Sequence, residues 1–184
     1  SDKTQWSIAS YLARVQYSYK GKYMASGAIR ADGSSRFGKN NRWGYFPSAS
    51  LAWRVSGEDF FTKAKFLSFV DDLKIRTSYG VTGNFQIGNY DHLSLMALDN
   101  YILGTGNGQL VQGYKPNTIK NDDLSWEKNA MVNVGVDLQM FKGLLGITVD
   151  YYNTNTSNML LNVPVPHLTG YSTALMNIGK VNNR

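Results

Sequence analysis

Ala9-Ser10-Tyr11-Leu12-Ala13-Arg14-Val15-Gln16-Tyr17-Ser18-Tyr19 decides how the chain is read. Its odd positions are Ala, Tyr, Ala, Val, Tyr and Tyr, whereas its even positions are Ser, Leu, Arg, Gln and Ser. A repeat of two is the period at which a β-strand turns successive side chains to opposite faces, so this stretch is a strand with one apolar and one mostly polar side. After Lys20-Gly21-Lys22 the pattern resumes, with Tyr23, Ala25, Gly27, Ile29 and Ala31 facing one way and Met24, Ser26, Ala28, Arg30 and Asp32 the other. So short a link containing glycine predicts a hairpin.

Four further segments alternate in the same way. Pro47, Ala49, Leu51, Trp53 and Val55 oppose Ser48 to Ser56, and Leu73, Ile75, Thr77, Tyr79 and Val81 oppose Lys74 to Thr82. Ala130 through Met140 and Leu145 through Tyr151 supply two more apolar rows. None of the roughly thirty apolar-row positions is charged, a vacancy that a 17% share of charged residues would rarely leave by accident. The charges stand opposite: Arg14, Arg30, Asp32, Arg54, Lys74, Arg76, Asp137 and Asp150.

Alternation does not say whether the apolar row meets a second sheet or lipid. A soluble β-sandwich, such as a carbohydrate-binding module, satisfies it, as does a surface adhesin. Three features favour lipid. The segments run about 9 to 12 residues, the length a tilted strand needs to cross a bilayer. Aromatic residues gather at their ends, where amphipathic rings sit at the headgroup level: Tyr17, Tyr19 and Tyr23 by the first turn, Trp43, Tyr45 and Phe46 before the third strand, Phe141 at a later turn. The links also sort by side. Lys20–Lys22, Gly57–Asp71 and Phe141–Leu144 are short or hold a small helix from Glu58 onward, whereas Gly33–Arg42, Asn84–Ser125 and Asn153 onward read as long Gly-, Asn- and Ser-rich loops. Barrels of outer membranes have short turns at one end and long loops at the other.

The 184 residues carry Lys+Arg 19 against Asp+Glu 13, a net charge of +6, and 42% hydrophobic residues including 12 Tyr, 8 Phe and 4 Trp. That is too apolar for a disordered chain. With no cysteine, disulfide scaffolds, cysteine zinc sites and thiol nucleophiles are excluded. The stretch Thr154–Gly179 is free of charge but broken by Asn, Pro and Gly, so it is no membrane helix. Ser1-Asp2-Lys3-Thr4 has neither initiator Met nor signal segment and reads as a mature or internal piece.

The sequence resembles the SusC/RagA-type TonB-dependent outer-membrane transporters. Tyr11–Tyr23 carries the likeness, with Arg30-Ala31-Asp32-Gly33-Ser34-Ser35-Arg36-Phe37-Gly38 and Trp43-Gly44-Tyr45-Phe46-Pro47-Ser48. Leu73-Lys74-Ile75-Arg76, Ser78-Tyr79-Gly80, Thr82-Gly83-Asn84, Trp126-Glu127-Lys128, Val149-Asp150-Tyr151-Tyr152 and Asn177-Ile178-Gly179-Lys180-Val181 follow in family order. The resemblance implies an all-β, antiparallel up-and-down meander forming a segment of a barrel of about 22 strands. Residues 1–184 would then be part of the barrel domain, with the plug domain and TonB-interacting segment absent from the chain. Six or seven strands cannot close a membrane barrel, whose practical minimum is about eight. The resemblance further implies an outer-membrane location in a Gram-negative-type bacterium and import of oligosaccharide or peptide. Its partners would be outer-membrane lipid, a SusD-like lipoprotein, and TonB acting through the absent parts.

The eight alternate-face charges are candidates for a lumen-facing wall that binds substrate or plug, or that pairs across strands to hold register. Arg36, Trp43, Tyr90, Tyr101 and Tyr114 are candidates for extracellular-loop contacts with substrate or lid, or for interface anchoring. Arg36, Lys39 and Arg42 are also candidates to meet lipopolysaccharide phosphates. Gly104-Thr105-Gly106-Asn107-Gly108 lacks the strand and helix of a phosphate loop. Asn121-Asp122-Asp123 with Glu127 lacks the Ca²⁺-loop pattern and reads as a solvated turn. His92 and His167 have no acid or serine constellation nearby, so no catalytic residues, metal or cofactor are expected. Dispersed Lys and Arg give no nucleic-acid footprint.

Overall fold

A computed structural model describes residues 3–64, 67–104, 108–171 and 173–184. It is built on β1 (Ile8–Tyr19), β2 (Tyr23–Ser34), β3 (Trp43–Arg54), β4 (Val70–Asn84), β5 (Met96–Leu103), β6 (Gln109–Pro116), β7 (Glu127–Met140), β8 (Leu145–Pro164) and β9 (Thr173–Asn183). Helix α1 (Asp59–Lys63) is a single short turn, less than the Glu58–Phe69 stretch read from the sequence. Strands β1-β2-β3-β4-β7-β8-β9 form one antiparallel sheet in chain order, and β5-β6 form a separate hairpin. The up-and-down meander is the one the alternation predicts.

The pairing register fuses the separate rows into two continuous faces. Tyr17 stands opposite Ala25, Ala25 opposite Leu51 and Leu51 opposite Thr77. The row continues through Val134 to Tyr151. A slip of one residue would throw every apolar side chain to the other face, so the pattern itself fixes the register. Both tight turns use left-handed backbone, at Lys20-Gly21 and at Phe141-Lys142-Gly143, as close hairpin links require.

No second layer covers the apolar face among the described residues. Val15 is 74% exposed, Leu51 59%, Ile75 38% and Val149 62%. These four would be the dry centre of a sandwich, so the sandwich reading fails. The whole chain exposes 13113 Å², whereas a compact monomer of its mass exposes about 8,800 Å². The excess is surface that something outside the chain must cover.

Among the described residues, a dry cluster lies at the long-loop end. Phe37, Phe46, Leu124 and Trp126 are buried there, with Phe85, Ile87, Leu160 and Leu175 packed around them. Ring centroids of Phe37 and Phe46 stand 4.8 and 5.4 Å from that of Trp126. Gly83 makes the room, because any β-carbon there would collide with the Phe46 ring.

Two regions read as loop are strands. Asn84–Ser125 holds the β5–β6 hairpin, and the chain beyond Asn153 completes β8 and forms β9. In β8 the ladder continues through a register shift around Asn158, whose φ is 56°. The polar run survives as strand because side chains also bridge it: the Asn182 amide donates to Asn153 and Asn155 at 2.8 and 2.6 Å.

Candidate functional site

All eight charges predicted for one wall, Arg14, Arg30, Asp32, Arg54, Lys74, Arg76, Asp137 and Asp150, occupy the same face by register. Six of them are ion-paired. Arg76 Nε meets Asp137 at 3.1 Å and its Nη2 meets Asp150 at 2.8 Å, so one guanidinium ties β4, β7 and β8 together. It crosses β7 above Gly135, where a β-carbon would come 2.6 Å from Asp150 and 2.7 Å from the guanidinium carbon. Thr148 donates to the same Asp137 carboxylate at 3.2 Å. Arg54 pairs with Asp72 at 3.0 Å, and the Ser56 hydroxyl donates to that carboxylate as well.

Arg30 Nε reaches Asp32 at 2.7 Å, and its guanidinium lies over the Phe46 ring at 5.6 Å. Asp32 is 4% exposed, and its second carboxylate oxygen has no partner among the described residues. Arg14 and Lys74 make no ion pair among the described residues. Lys74 nevertheless sits between Arg54 and Asp137 across the strands and helps line a groove of about 340 Å³ with Asp72 and Thr148. The face is polar, with most of its charges paired to one another. Each exposed pair adds little stability by itself, about 1 kcal/mol or less, but together they hold neighbouring strands in one register.

The five loop candidates do not converge. Arg36 stacks on Trp6 and Phe85 at 4.5 and 5.5 Å, and donates to Asn89 at 2.9 Å and to the Phe85 carbonyl. It locks two loops together, which leaves Lys39 and Arg42 as the exposed cations of its segment. Trp43 lies on the apolar face, stacked on Tyr11 at 5.9 Å. The Tyr90 hydroxyl accepts the Gln5 N–H at 3.4 Å. Tyr101 and Tyr114 stand exposed on the β5–β6 hairpin. In the acidic turn, Asp122 pairs with Lys120 at 2.6 Å and Asp123 accepts the Asn40 amide at 3.2 Å. The glycine-rich run has residues 105–107 outside the described residues.

Sequence reasoning missed two acids. Asp72 fell between the Gly57–Asp71 link and the strand read from Leu73, because β4 in fact begins at Val70, with a bulge before Asp72. Glu58 stands at the N-cap of α1, the helix start read from the sequence, but its carboxylate makes no cap bond and accepts Tyr23 Oη at 2.7 Å, Trp53 Nε1 at 3.2 Å and Lys22 Nζ at 3.2 Å. The Tyr23 hydroxyl first, then the indole, hold its carboxyl below the usual range, with Lys22 adding to the effect. The signal was present in the aromatics at strand ends, whose polar tips need partners.

Aromatic pairs edge the apolar face at both ends, with Tyr11–Trp43 at one, and Tyr19–Tyr23 and Tyr23–Trp53 at the other. A single long-stranded sheet, apolar and uncovered on one side and ion-paired on the other, is a segment of β-barrel wall. The chain belongs to the TonB dependent receptor-like, beta-barrel family, which matches residues 1–184. It is similar to TonB-dependent receptor P39 of Formosa agariphila, 42% identical over 184 residues, 100% of this chain and 17% of the relative. TonB-dependent receptor SusC of Bacteroides thetaiotaomicron is 34% identical over 182 residues, 98% of this chain and 18% of that protein. Among solved structures, the RagAB peptide transporter superposes with a TM-score of 0.81 at 33% identity, covering 96% of this chain and 19% of that one. The chain thus spans less than a fifth of the relatives it matches.

Proposed function

We propose that this chain is part of the wall of a TonB-dependent outer-membrane importer of glycans or peptides that works with a SusD-like lipoprotein. The observation that carries the reading is the pair of continuous faces: an uncovered apolar face suited to lipid, backed by a charged, largely ion-paired face suited to an aqueous passage. The family supports import, the SusC and RagAB likenesses support a surface lipoprotein over the long-loop end, and the RagAB peptide transporter supports cargo of the peptide class. The chain's part is passive. It keeps water and lipid apart, bounds the path with polar groups of which most are paired to one another, and offers its far-end loops to the lid. Cargo crosses without chemical change, and energy comes from TonB through parts outside these residues.

Deleting the gene and following uptake of fluorescent oligosaccharides and oligopeptides tests the reading. Loss of uptake of one class, restored by the intact gene and not by a copy lacking residues 1–184, is expected. Unchanged uptake of both classes, with the protein fractionating away from the outer membrane, would refute it.

A further inference from the structure

A row of uncharged polar groups crosses the charged face. The pairing register sets Gln16 opposite Ser26, Ser26 opposite Ser50, Ser50 opposite Ser78, Ser78 opposite Asn133, and Asn133 opposite Tyr152. Each of six neighbouring strands thus contributes one amide, hydroxyl or phenol at the same level. Strands lie about 4.8 Å apart, so the row runs roughly 24 Å across the wall. Two grooves of about 390 and 290 Å³ follow it and share Ser50, the first lined by Gln16 and Ser26, the second by Ser78 and Asn133. The Ser26 and Ser50 hydroxyls bond one another at 2.7 Å, and Tyr152 is exposed at the end of the row. Nothing bulky shadows it on the long-loop side, where the neighbours on β2, β3 and β4 are Ala28, Ser48 and Gly80.

The charges bordering these grooves on the short-turn side cancel. Arg54, Lys74 and Arg76 share the face there with Asp72, Asp137 and Asp150. Arg54 is held by Asp72, and Arg76 by Asp137 and Asp150. A charged cargo would have to break into these pairs, whereas a neutral one exchanges only water. Serine hydroxyls and the side-chain amides of Asn and Gln both donate and accept. Sugar hydroxyls do the same, and they point outward all round the rim of the ring, so a chain of rings can engage groups set at the strand spacing. An extended peptide advances about 3.3 Å per residue and falls out of step with that spacing. Its termini also carry charges that the row does not answer.

We propose that this row is a contact track for a neutral oligosaccharide, with sugar hydroxyls on Ser50, Ser78 and Asn133 and the apolar face of a ring against Tyr152. The inference rests on the proposed importer reading and narrows its cargo to uncharged glycan. The hydrogen bonds involved are neutral and individually weak, which suits a wall that cargo must leave as readily as it arrives.

The test follows uptake by cells lacking the gene and carrying the full-length transporter or a variant. The probes are labelled neutral hexasaccharides of the α-glucan, β-glucan, mannan and xylan types, a hexauronate and a hexapeptide mixture. Two double variants are compared, Ser50→Thr with Ser78→Thr and Ser50→Val with Ser78→Val; they match in bulk and differ by two hydroxyls. Wild type is expected to take up a neutral hexasaccharide in preference to the hexauronate and the peptides. The valine pair is expected to slow that uptake about tenfold relative to the threonine pair at limiting concentration, the effect of losing two neutral hydrogen bonds. Heat-modifiable gel mobility reports that each barrel has closed; if the valine pair does not close, Ser50→Ala with Ser78→Ala takes its place against wild type. Equal rates for the two pairs, equal slowing of every cargo, or wild-type uptake of the peptides or the hexauronate in preference to every neutral hexasaccharide would overturn the proposal and leave the importer reading standing. A wild-type gene that restores uptake of no cargo would strike at the importer reading itself and take this inference with it.

Discussion

Val15→Arg and Gln16→Arg place the same side chain one residue apart on opposite faces of β1, and the proposed wall predicts very different results. Tyr11 and Tyr19 lie on the same face as Val15, four residues to either side. Eight residues at about 3.3 Å each span roughly 26 Å along the strand, or about 20 Å of height at a tilt near 40°. Val15 is therefore about 10 Å from either aromatic edge, close to the middle of the apolar band. An arginine facing lipid at that depth costs about 2–4 kcal/mol, against about zero for a substitution on a watery lumen face. In the folded-to-unfolded ratio, the Val15 change corresponds to roughly 30- to 700-fold. Guanidinium titration of the full-length transporter in phospholipid vesicles reads both variants against wild type. Equal losses, or a larger loss for Gln16→Arg, would refute the reasoning, because an apolar medium on the Val15 side and water on the Gln16 side make the two differ in this direction.

Gly135→Val should push the Arg76 guanidinium off Asp137 and Asp150 and lower stability. In an Arg76→Ala background the same change should cost clearly less, which a double-mutant cycle measures. Glu58→Gln should destabilise the short-turn end at pH 7. Because the folded carboxyl titrates below its unfolded value, its contribution is fully present above the usual glutamate range and is lost as pH falls through the lowered value, so the wild-type advantage should shrink below about pH 4. Stability of the pair across pH checks the sign. Phe46→Ala should remove the ring around which the far-end cluster packs, at about 3–5 kcal/mol if the site does not collapse. Limited proteolysis should then cut residues 35–42 and 117–126 faster without loss of the barrel.

Much of the fold was legible because one face of each strand has a single task. Where the sheet is uncovered, charge on the outer row is intolerable, and the period of two stands out from Ala9 to Tyr151. The contrast fades where that task ends. In β9, Ala174 is buried and Leu175 packs on the aromatic cluster, while Met176 and Ile178 are exposed, so apolar residues fall on both faces and the alternation disappears. Beyond Asn153 the strand is held by amide side chains, which in sequence look like a loop. The charged face was readable as a face, but its pairings were not. Arg76 reaches Asp137 and Asp150 from 61 and 74 residues away, a fact of register rather than of local pattern. Trp43 and Arg36 illustrate the same limit: an aromatic or a guanidinium in a loop carries no mark that says whether it faces lipid, another loop or cargo.

The central claim is that the apolar row meets lipid and the polar row meets water. Nitroxide labels placed singly at each position from Ala9 to Tyr19, in the full-length transporter in bilayers, test it most directly. Relaxation by oxygen, which concentrates in lipid, should peak at the odd positions, and relaxation by a water-soluble nickel chelate should peak at the even ones, the two profiles running out of phase with a period of two. Odd positions shielded from both reagents would mean that Tyr11, Val15 and Tyr17 pack into dry protein, and would contradict the account.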